Sequence, residues 1–161
     1  MNPSITIQRL SYSHPDATTL RDAQQLEIAK LKPINVGVQA SAANVPIFLV
    51  AYDGVEPVGC GGLRPLSDQG LPGQAEIKRM YVVPSRRGPG GVSGSVVVAQ
   101  LVLVALEDVA REHGWTVLRA QTSKMMGQAR RFYEKHCYVP CEVLGSKEAK
   151  EHFVCYEKIL V

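Results

Sequence analysis

The residues best placed for chemistry are a pair of arginines and a group of glycines just after a strand-like stretch. Arg86 and Arg87 follow Pro84 and lead into Gly88, Gly90, Gly91 and Gly94. Glycine lets the backbone approach a ligand closely, and the free N–H groups of a following helix attract negative charge. The guanidinium groups add charge-assisted donors. This spacing therefore predicts a cradle for a pyrophosphate group.

Three elements must position that cradle. Residues 75–83 are rich in β-branched and aromatic side chains, which predicts a strand that stops at Pro84. An apolar-periodic run from Ser93 or Gly94 to about His113 predicts a helix, and residues 116–122 predict a second strand. Strand, helix and strand in this order form a right-handed βαβ unit with parallel strands. The side chains expected on the buried side of the helix are Val97, Leu101, Val104, Leu106 and Val109, and those expected in water are Glu107, Asp108, Arg111 and Glu112.

The rest of the chain reads as further strands and helices around this unit. Further strands are expected at residues 4–12, 47–52, 57–66, 138–144 and 152–160, and helices at 17–31 and 127–136. Asp16 is a plausible cap of the first helix, and Asp53-Gly54 predicts a hairpin turn. Gly59, Gly61 and Gly62 predict a bulge or a close backbone approach. Residues 34–45 fit either a short helix or a loop. The expected fold is α/β (α+β), with a mostly antiparallel sheet of about seven strands and about four helices in a single domain over residues 1–161.

Composition narrows the class of protein. The chain has 161 residues, is 45% hydrophobic and carries a net charge of +3, which favours one globular domain that binds a small anion rather than nucleic acid. The amino terminus lacks a basic leader and an apolar segment, and the longest apolar run is too short to cross a bilayer. We therefore expect a cytoplasmic protein without membrane or nucleic-acid partners. The cysteines at 60, 137, 141 and 155 are expected to be reduced and not to bind a metal.

Four segments of the chain, by their order and spacing together, resemble the GCN5-related N-acetyltransferases, the GNAT family. AEIKRMYVVPSRRGPGG is similar to the family's acetyl-CoA motif, a strand followed by Arg/Gln-x-x-Gly-x-Gly/Ala and a helix. ARRFYEKHCYVPC resembles its second motif, and PVGCGGLRPL and CYEKIL resemble one branch of the family. The resemblance covers residue 47 to the end of the chain. It implies acetyl-CoA as co-substrate and direct transfer of the acetyl group to an amine, without an acyl-enzyme.

The family's motifs match particular positions of this chain. A backbone N–H of the cofactor strand contacts the thioester carbonyl in the family, which matches Met80 or Val82. The positions that the resemblance assigns to cofactor binding are Met80, Tyr81, Val82, Arg87, Gly88, Gly90, Gly91, Ser93 and Gly94.

The chain departs from the family pattern at a few positions. The sixth residue counted from Arg87 is Val92, although one inserted residue at Gly91 would bring Ser93 there. Met126 stands where the family often has Asn, and Cys137 where it usually has Gly. The first departure could loosen the binding of pyrophosphate.

Two side chains are candidates for proton transfer. Tyr133 matches the family's tyrosine, and a phenol with a pKa of about 10 is protonated at pH 7 and can donate to a leaving thiolate. The alternative is a tyrosine that only packs beside Phe132. Glu76 is the candidate general base, acting through a water, and strand alternation places it on the same face as Lys78 and Met80. The alternative is a solvent-facing carboxylate in an ion pair.

The pattern leaves two functions open. One is an N-acetyltransferase acting on an amine of a small molecule or peptide, and the other is a CoA-binding regulatory module that has lost catalysis. The acceptor has no readable motif, although the family determines it in the first helices and the late loop, here residues 17–45 and 145–151. A homodimer is possible if residues 152–160 form an edge strand that pairs with a second copy.

Overall fold

The computed structural model describes residues 5–31, 38–87 and 95–161. Within these ranges the chain forms seven strands and four α-helices. In chain order they are β1 (Ile5–Arg9), α1 (Pro15–Ala29), β2 (Ile47–Asp53), β3 (Glu56–Pro65), β4 (Gln74–Val82), α2 (Ser95–Glu112), β5 (Val117–Ser123), α3 (Gly127–Lys135), β6 (Val139–Cys141), α4 (Lys147–His152) and β7 (Phe153–Ile159). Short 3₁₀ turns occupy Ser67–Gln69 and Pro84–Arg86.

All seven strands join one sheet in the order β1-β2-β3-β4-β5-β7-β6. Neighbours are antiparallel except β4 and β5, which are parallel because α2 crosses between them. The predicted fold class and its central βαβ unit are therefore confirmed. The expectation that residues 152–160 form an edge strand is wrong, because β7 lies between β5 and β6 and pairs with both.

Two apolar layers hold the helices on the sheet. One layer packs α2 against β2–β5, with Val98, Val102 and Leu106 completely or almost completely buried. The other packs Ala17 and Leu20 of α1 against Phe48 and its neighbours on the opposite face. The glycines of β3 permit this close packing. A Cβ at Gly61 would lie 2.9 Å from Leu106 Cδ1, so the predicted close approach is confirmed.

The buried side of α2 differs from the prediction. Leu106 is buried as predicted, but Leu101 and Val104 are 37% and 44% exposed, and the sheet covers Val98 and Val102 in their place. Glu107, expected in water, is 5% exposed and accepts hydrogen bonds from Tyr138 and Lys158. The helix carries apolar residues on most of its circumference, so periodicity alone could not select the contact face.

Three smaller predictions also need correction. Helix α1 is capped by His14, whose Nδ1 accepts from the backbone N–H of Asp16 at 3.1 Å, because Pro15 begins the helix two residues earlier than expected. Helix α4 (Lys147–His152), with Ser146 as its cap, occupies most of the expected loop 145–151 and the first residue of the strand expected at 152–160. Part of the ambiguous segment 34–45 lies outside the described residues, and residues 38–46 contain no helix or strand. Of the helices in the described ranges, none combines the length and the hydropathy that a bilayer crossing requires.

Candidate active site

The two central strands separate partway along their length. The parallel pairing joins Gln74–Ile77 to Val117–Ala120 and ends there. Beyond this point β5 pairs with β7, whereas β4 continues along β3. We call the point where β4 and β5 diverge the fork. It leaves one side of the second half of β4 without a strand neighbour in the described chain.

A bulge changes the direction of β4 just past the fork. The register runs from Gly62↔Lys78 to Cys60↔Tyr81, so Arg79 and Met80 both lie opposite Gly61. Arg79 has a φ of 58°, in the left-handed region that accommodates such an extra residue. Side-chain alternation is reversed here, since Ile77 and Met80 both face the α2 layer. The predicted common face of Glu76, Lys78 and Met80 is therefore wrong for Met80.

A cleft of about 560 Å³ opens beside the bulged part of β4. Met80, Tyr81 and Val82 form one wall, and α3 contributes Phe132 and Tyr133 to the other. Helix α1 closes one end with Gln24 and Glu27. Four residues predicted to bind the cofactor, Met80, Tyr81, Val82 and Arg87, thus share one cleft with the predicted catalytic residue Tyr133. Its volume suits an organic ligand.

Tyr133 is a buried side chain of this cleft that carries a polar group, its hydroxyl. Its side chain is 5% exposed and its ring packs against Phe132, Tyr138 and Tyr156. Burial raises the pKa of its hydroxyl well above the ordinary value, and the Glu76 carboxylate raises this pKa further. The phenol therefore stays protonated at every pH at which the protein would work, and it can act as a hydrogen-bond donor.

Glu76 lies on the opposite face of the sheet from α2 and lines a second, smaller pocket. It is 6% exposed, and its Oε1 lies 3.5 Å from Arg64 Nη1 and 3.3 Å from Lys78 Nζ. The carboxylate is in an ion pair but is not solvent-facing, so the predicted alternative of a solvent-facing ion pair is correct only in the pairing. The role of general base stays a prediction. The closest contact of each cation is to Oε1.

The two predicted guanidinium groups point in different directions. Arg87 lines the cleft, where its Nη1 and Nη2 contact Glu27 Oε1 and Oε2 at 2.6 and 2.7 Å and its Nε donates to the Val82 carbonyl at 2.6 Å. These hydrogen bonds hold the pKa of the Glu27 carboxyl below its usual value. Arg86 instead pairs with Asp53 at 2.6 Å and reaches Glu56 at 3.6 Å. The expectation that Arg86 adds a donor to the cradle therefore needs correction, since this side chain binds the β2–β3 hairpin.

Several predicted positions lie outside the described residues. They are Gly88, Gly90, Gly91, Ser93 and Gly94, together with Val92. The expected cradle for pyrophosphate thus stays a prediction. The described residues Arg87 and Val98 flank this segment on either side.

The sequence reading missed Gln24. Its Nε2 donates to the Met80 carbonyl at 2.9 Å, while its Oε1 is buried without a partner among the described residues. The available signal was the spacing Leu20-Gln24-Ile28, which places a polar residue in the apolar stripe of α1. The apolar Leu26 on the same helix is instead 72% exposed.

The cysteines add no second site. Cys60 is fully buried, and burial raises the pKa of its thiol to about 12, which suits packing rather than nucleophilic chemistry. Among the described residues, no group of three or more His, Cys, Asp and Glu side chains could hold a metal ion.

Comparisons with known proteins identify the family to which the chain belongs. The family model described as "Acetyltransferase (GNAT) domain" matches residues 44–140, so the chain belongs to the GNAT family of acetyltransferases. This confirms the resemblance seen in the sequence. The uncharacterized N-acetyltransferase YjcF of Bacillus subtilis (strain 168) is 36% identical over 102 residues, which are 62% of this chain and 59% of that protein. The matched region thus spans less than two thirds of the curated relative.

Solved structures share the whole fold. A Klebsiella pneumoniae protein, described as an acyl-CoA N-acyltransferase, superposes with a TM-score of 0.78 at 24% identity, covering 99% of this chain and 100% of that one. Ard1 from Thermoplasma volcanium gives a TM-score of 0.69 at 18% identity, covering 98% and 99%. At these identities the likeness shows the fold alone.

Proposed function

We propose that this protein transfers an acetyl group from acetyl-CoA directly to a primary amine of a small molecule or peptide. The observation that carries the proposal is the fork, which places a protonated phenol, an unpaired strand segment and a large cleft side by side. Membership in the GNAT family supports the same class of reaction. The compartment we propose is the cytoplasm, where the four cysteines would be thiols.

The described residues fit acetyl-CoA. The cleft is long and mostly apolar, and it follows a stretch of β4 whose backbone groups on that side have no strand neighbour in the described chain. Such backbone groups can pair with the amide groups of an extended arm. The buried, unpartnered Oε1 of Gln24 offers an acceptor for an N–H at the same place. When bound, acetyl-CoA supplies an activated acetyl group and a sulfur atom that can leave.

Each of the following residues of the cleft has a distinct proposed role in catalysis. The backbone N–H of Met80 or Val82 donates to the oxygen on which negative charge develops. Gln24 positions the bulge, because it holds the Met80 carbonyl in a hydrogen bond. Tyr133 keeps a proton at its hydroxyl and donates it as a hydrogen bond toward the leaving sulfur. The raised pKa of this phenol favours stabilisation by a hydrogen bond over complete proton transfer.

Glu76 is the proposed base on the other side of the fork. An alkylammonium is protonated at neutral pH and must lose a proton before it can attack a carbonyl. The Oε2 atom of Glu76 can accept that proton through a water. Arg64 and Lys78 keep the carboxylate in place, since both contact its other oxygen.

The proposal can be tested with two measurements on the same preparation. Calorimetric titration should show saturable binding of CoA that the 3′-phospho-ADP fragment displaces, because the predicted cradle grips the pyrophosphate group. Thiol release from acetyl-CoA should then appear with at least one member of an amine panel. Binding without thiol release on any amine would support the regulatory module instead, and failure to bind CoA would exclude both functions.

A further inference from the structure

A second pocket, of about 80 Å³, lies at the fork on the sheet face opposite α2. We call it the fork pocket. Lys78 and Gln121 line it, and they are the first residues of β4 and β5 after the parallel pairing ends at Ile77 and Ala120. Arg64 lines it from β3, where it lies directly opposite Glu76. A group bound there is therefore next to the proposed base.

The charged side chains that line the fork pocket sum to one positive charge. Two cations, Arg64 and Lys78, face one carboxylate, Glu76. Asp68 contacts Arg64 Nη2 at 3.0 Å, but its side chain is 63% exposed and is not part of the pocket lining. Arg64 itself is 4% exposed, and its Nε is buried without a hydrogen-bond partner among the described residues. A buried guanidinium with an unused donor calls for an additional acceptor.

The neutral groups of the pocket are also donors. The Oε1 of Gln121 accepts from the backbone N–H of Leu144 at 3.3 Å, which leaves the Nε2 amino group available. Gln69 adds a second amide. The pocket thus offers the Lys78 ammonium and the Gln121 amino group as donors, and its charged lining residues sum to one positive charge. Its volume is that of about two or three water molecules, which is enough for one carboxylate group.

We propose that the acceptor amine carries a carboxylate, and that this carboxylate binds in the fork pocket between Lys78 and Arg64. The inference rests on the proposed acetyl transfer and specifies its substrate class as amino acids or peptides with a free carboxyl terminus. The bound carboxylate uses Lys78 Nζ and the amide of Gln121, and the Arg64 guanidinium adds positive charge beside it. The amine of the same molecule then lies at the fork, between Glu76 and Tyr133.

A binding experiment tests this without requiring turnover. In the presence of CoA, calorimetry compares N-acetyl-lysine, N-acetyl-methionine and N-acetyl-phenylalanine with their carboxamides, which differ only in the carboxylate. We expect each acid to bind at least about tenfold more tightly than its amide, the usual effect of a charge-assisted hydrogen bond. Peptides that end in the same residues, as acid and as amide, distinguish a peptide terminus from a free amino acid.

Two lysine variants provide the matched comparison. Lys78→Met should lower the affinity for the acid about tenfold and leave the amide unchanged. Lys158→Met is the control, because Lys158 is similarly exposed (25% against 23%) and also pairs with a buried carboxylate, Glu107, outside the pocket lining. Equal binding of acid and amide by the wild-type protein, or binding of neither, overturns the proposal. Failure of the proposed acetyl transfer would give a different result. The protein would bind CoA and prefer the acids to the amides, but it would release no thiol from acetyl-CoA.

Discussion

Tyr133 and Tyr138 have neighbouring rings, with centroids 5.5 Å apart, but their hydroxyl groups have different surroundings. The Tyr138 hydroxyl donates to the buried Glu107 carboxylate at 2.8 Å, whereas Tyr133 lines the cleft. Burial raises the pKa of both groups. One tyrosine thus satisfies a buried carboxylate, and the other keeps its proton available to a ligand.

Replacing Tyr133 by Phe tests the proposed donor. We expect kcat to fall about 10²-fold, because the leaving sulfur loses its hydrogen-bond donor, while CoA affinity stays within about twofold. Tyr138→Phe is the control. It should keep kcat but lose about 1–3 kcal/mol of unfolding free energy, since Glu107 loses a buried donor. A wild-type rate in Tyr133→Phe would remove this residue from the mechanism.

Glu76→Gln tests the proposed base in a similar way. At neutral pH we expect kcat/KM to fall about 10²-fold, because an amide cannot accept the ammonium proton. Asp68→Asn is the matched control, as Asp68 also pairs with Arg64 but is largely exposed. Rates are compared per folded molecule, measured by far-UV circular dichroism, since Arg64 keeps fewer partners in the Glu76 variant. Equal rates in the two variants would contradict the role of Glu76.

At the scale of the elements, β4 shows which features the sequence predicts and which it does not. The β-branched run and Pro84 predicted a strand at 75–83, and the structure has Gln74–Val82. The bulge at Arg79 carries no local signal, because arginine is not a residue typical of a positive φ. It arises from pairing with β3 and from α2 packing on Gly61, which are tertiary contacts. For this reason the position of Met80 relative to Glu76 could not be predicted.

The fork pocket could not be predicted from the sequence, because it also depends on tertiary contacts. Arg64, Glu76 and Gln121 belong to three different strands, and only the sheet register brings them together. Residues of the cleft were easier to predict, because Met80, Tyr81 and Val82 follow one another in a recognisable motif. Residues on α1 were missed, since the motif does not include that helix.

Gly62→Ala tests the close packing of β3. A Cβ at Gly62 would lie 2.7 Å from Val45 Cγ1 and 2.9 Å from the Ile47 carbonyl oxygen, so backbone atoms would have to move. We expect a loss of about 1–3 kcal/mol in the free energy of unfolding, measured by denaturant titration. Gly127→Ala should be nearly neutral, because its Cβ would meet only the mobile end of the Arg131 side chain. A neutral Gly62→Ala would show that the β2–β3 layer is looser than described.

At the scale of the whole molecule, the Glu27–Arg87 pair connects α1 to the segment that follows β4. The pKa of Glu27 lies below its ordinary value of 4.5, because Arg87 donates to the ionised carboxylate. A group with a lowered pKa stabilises the folded state above its unfolded pKa, and this stabilisation disappears as the pH falls through the folded value. Near neutral pH the contribution is fully present.

Comparison of wild type with Glu27→Gln across pH tests this connection. We expect the variant to be less stable at pH 7. The difference should shrink as the pH falls below about 4.5, because the Glu27 carboxylate binds a proton in the unfolded chain first and in the folded protein only at lower pH. Thermal unfolding at pH 7 and at pH 3 measures the effect. A difference of the same size at both pH values would mean that the carboxylate charge is not what holds α1 to this segment.

The order of the strands also bears on self-assembly. The outer strands of the sheet are β1 and β6, and β6 has three residues with Pro140 in the middle. Proline has no N–H to donate, so this border is a poor template for a strand from another molecule. Among the described strands, Ile5–Arg9 is therefore a better template than β6 for a strand from a second copy.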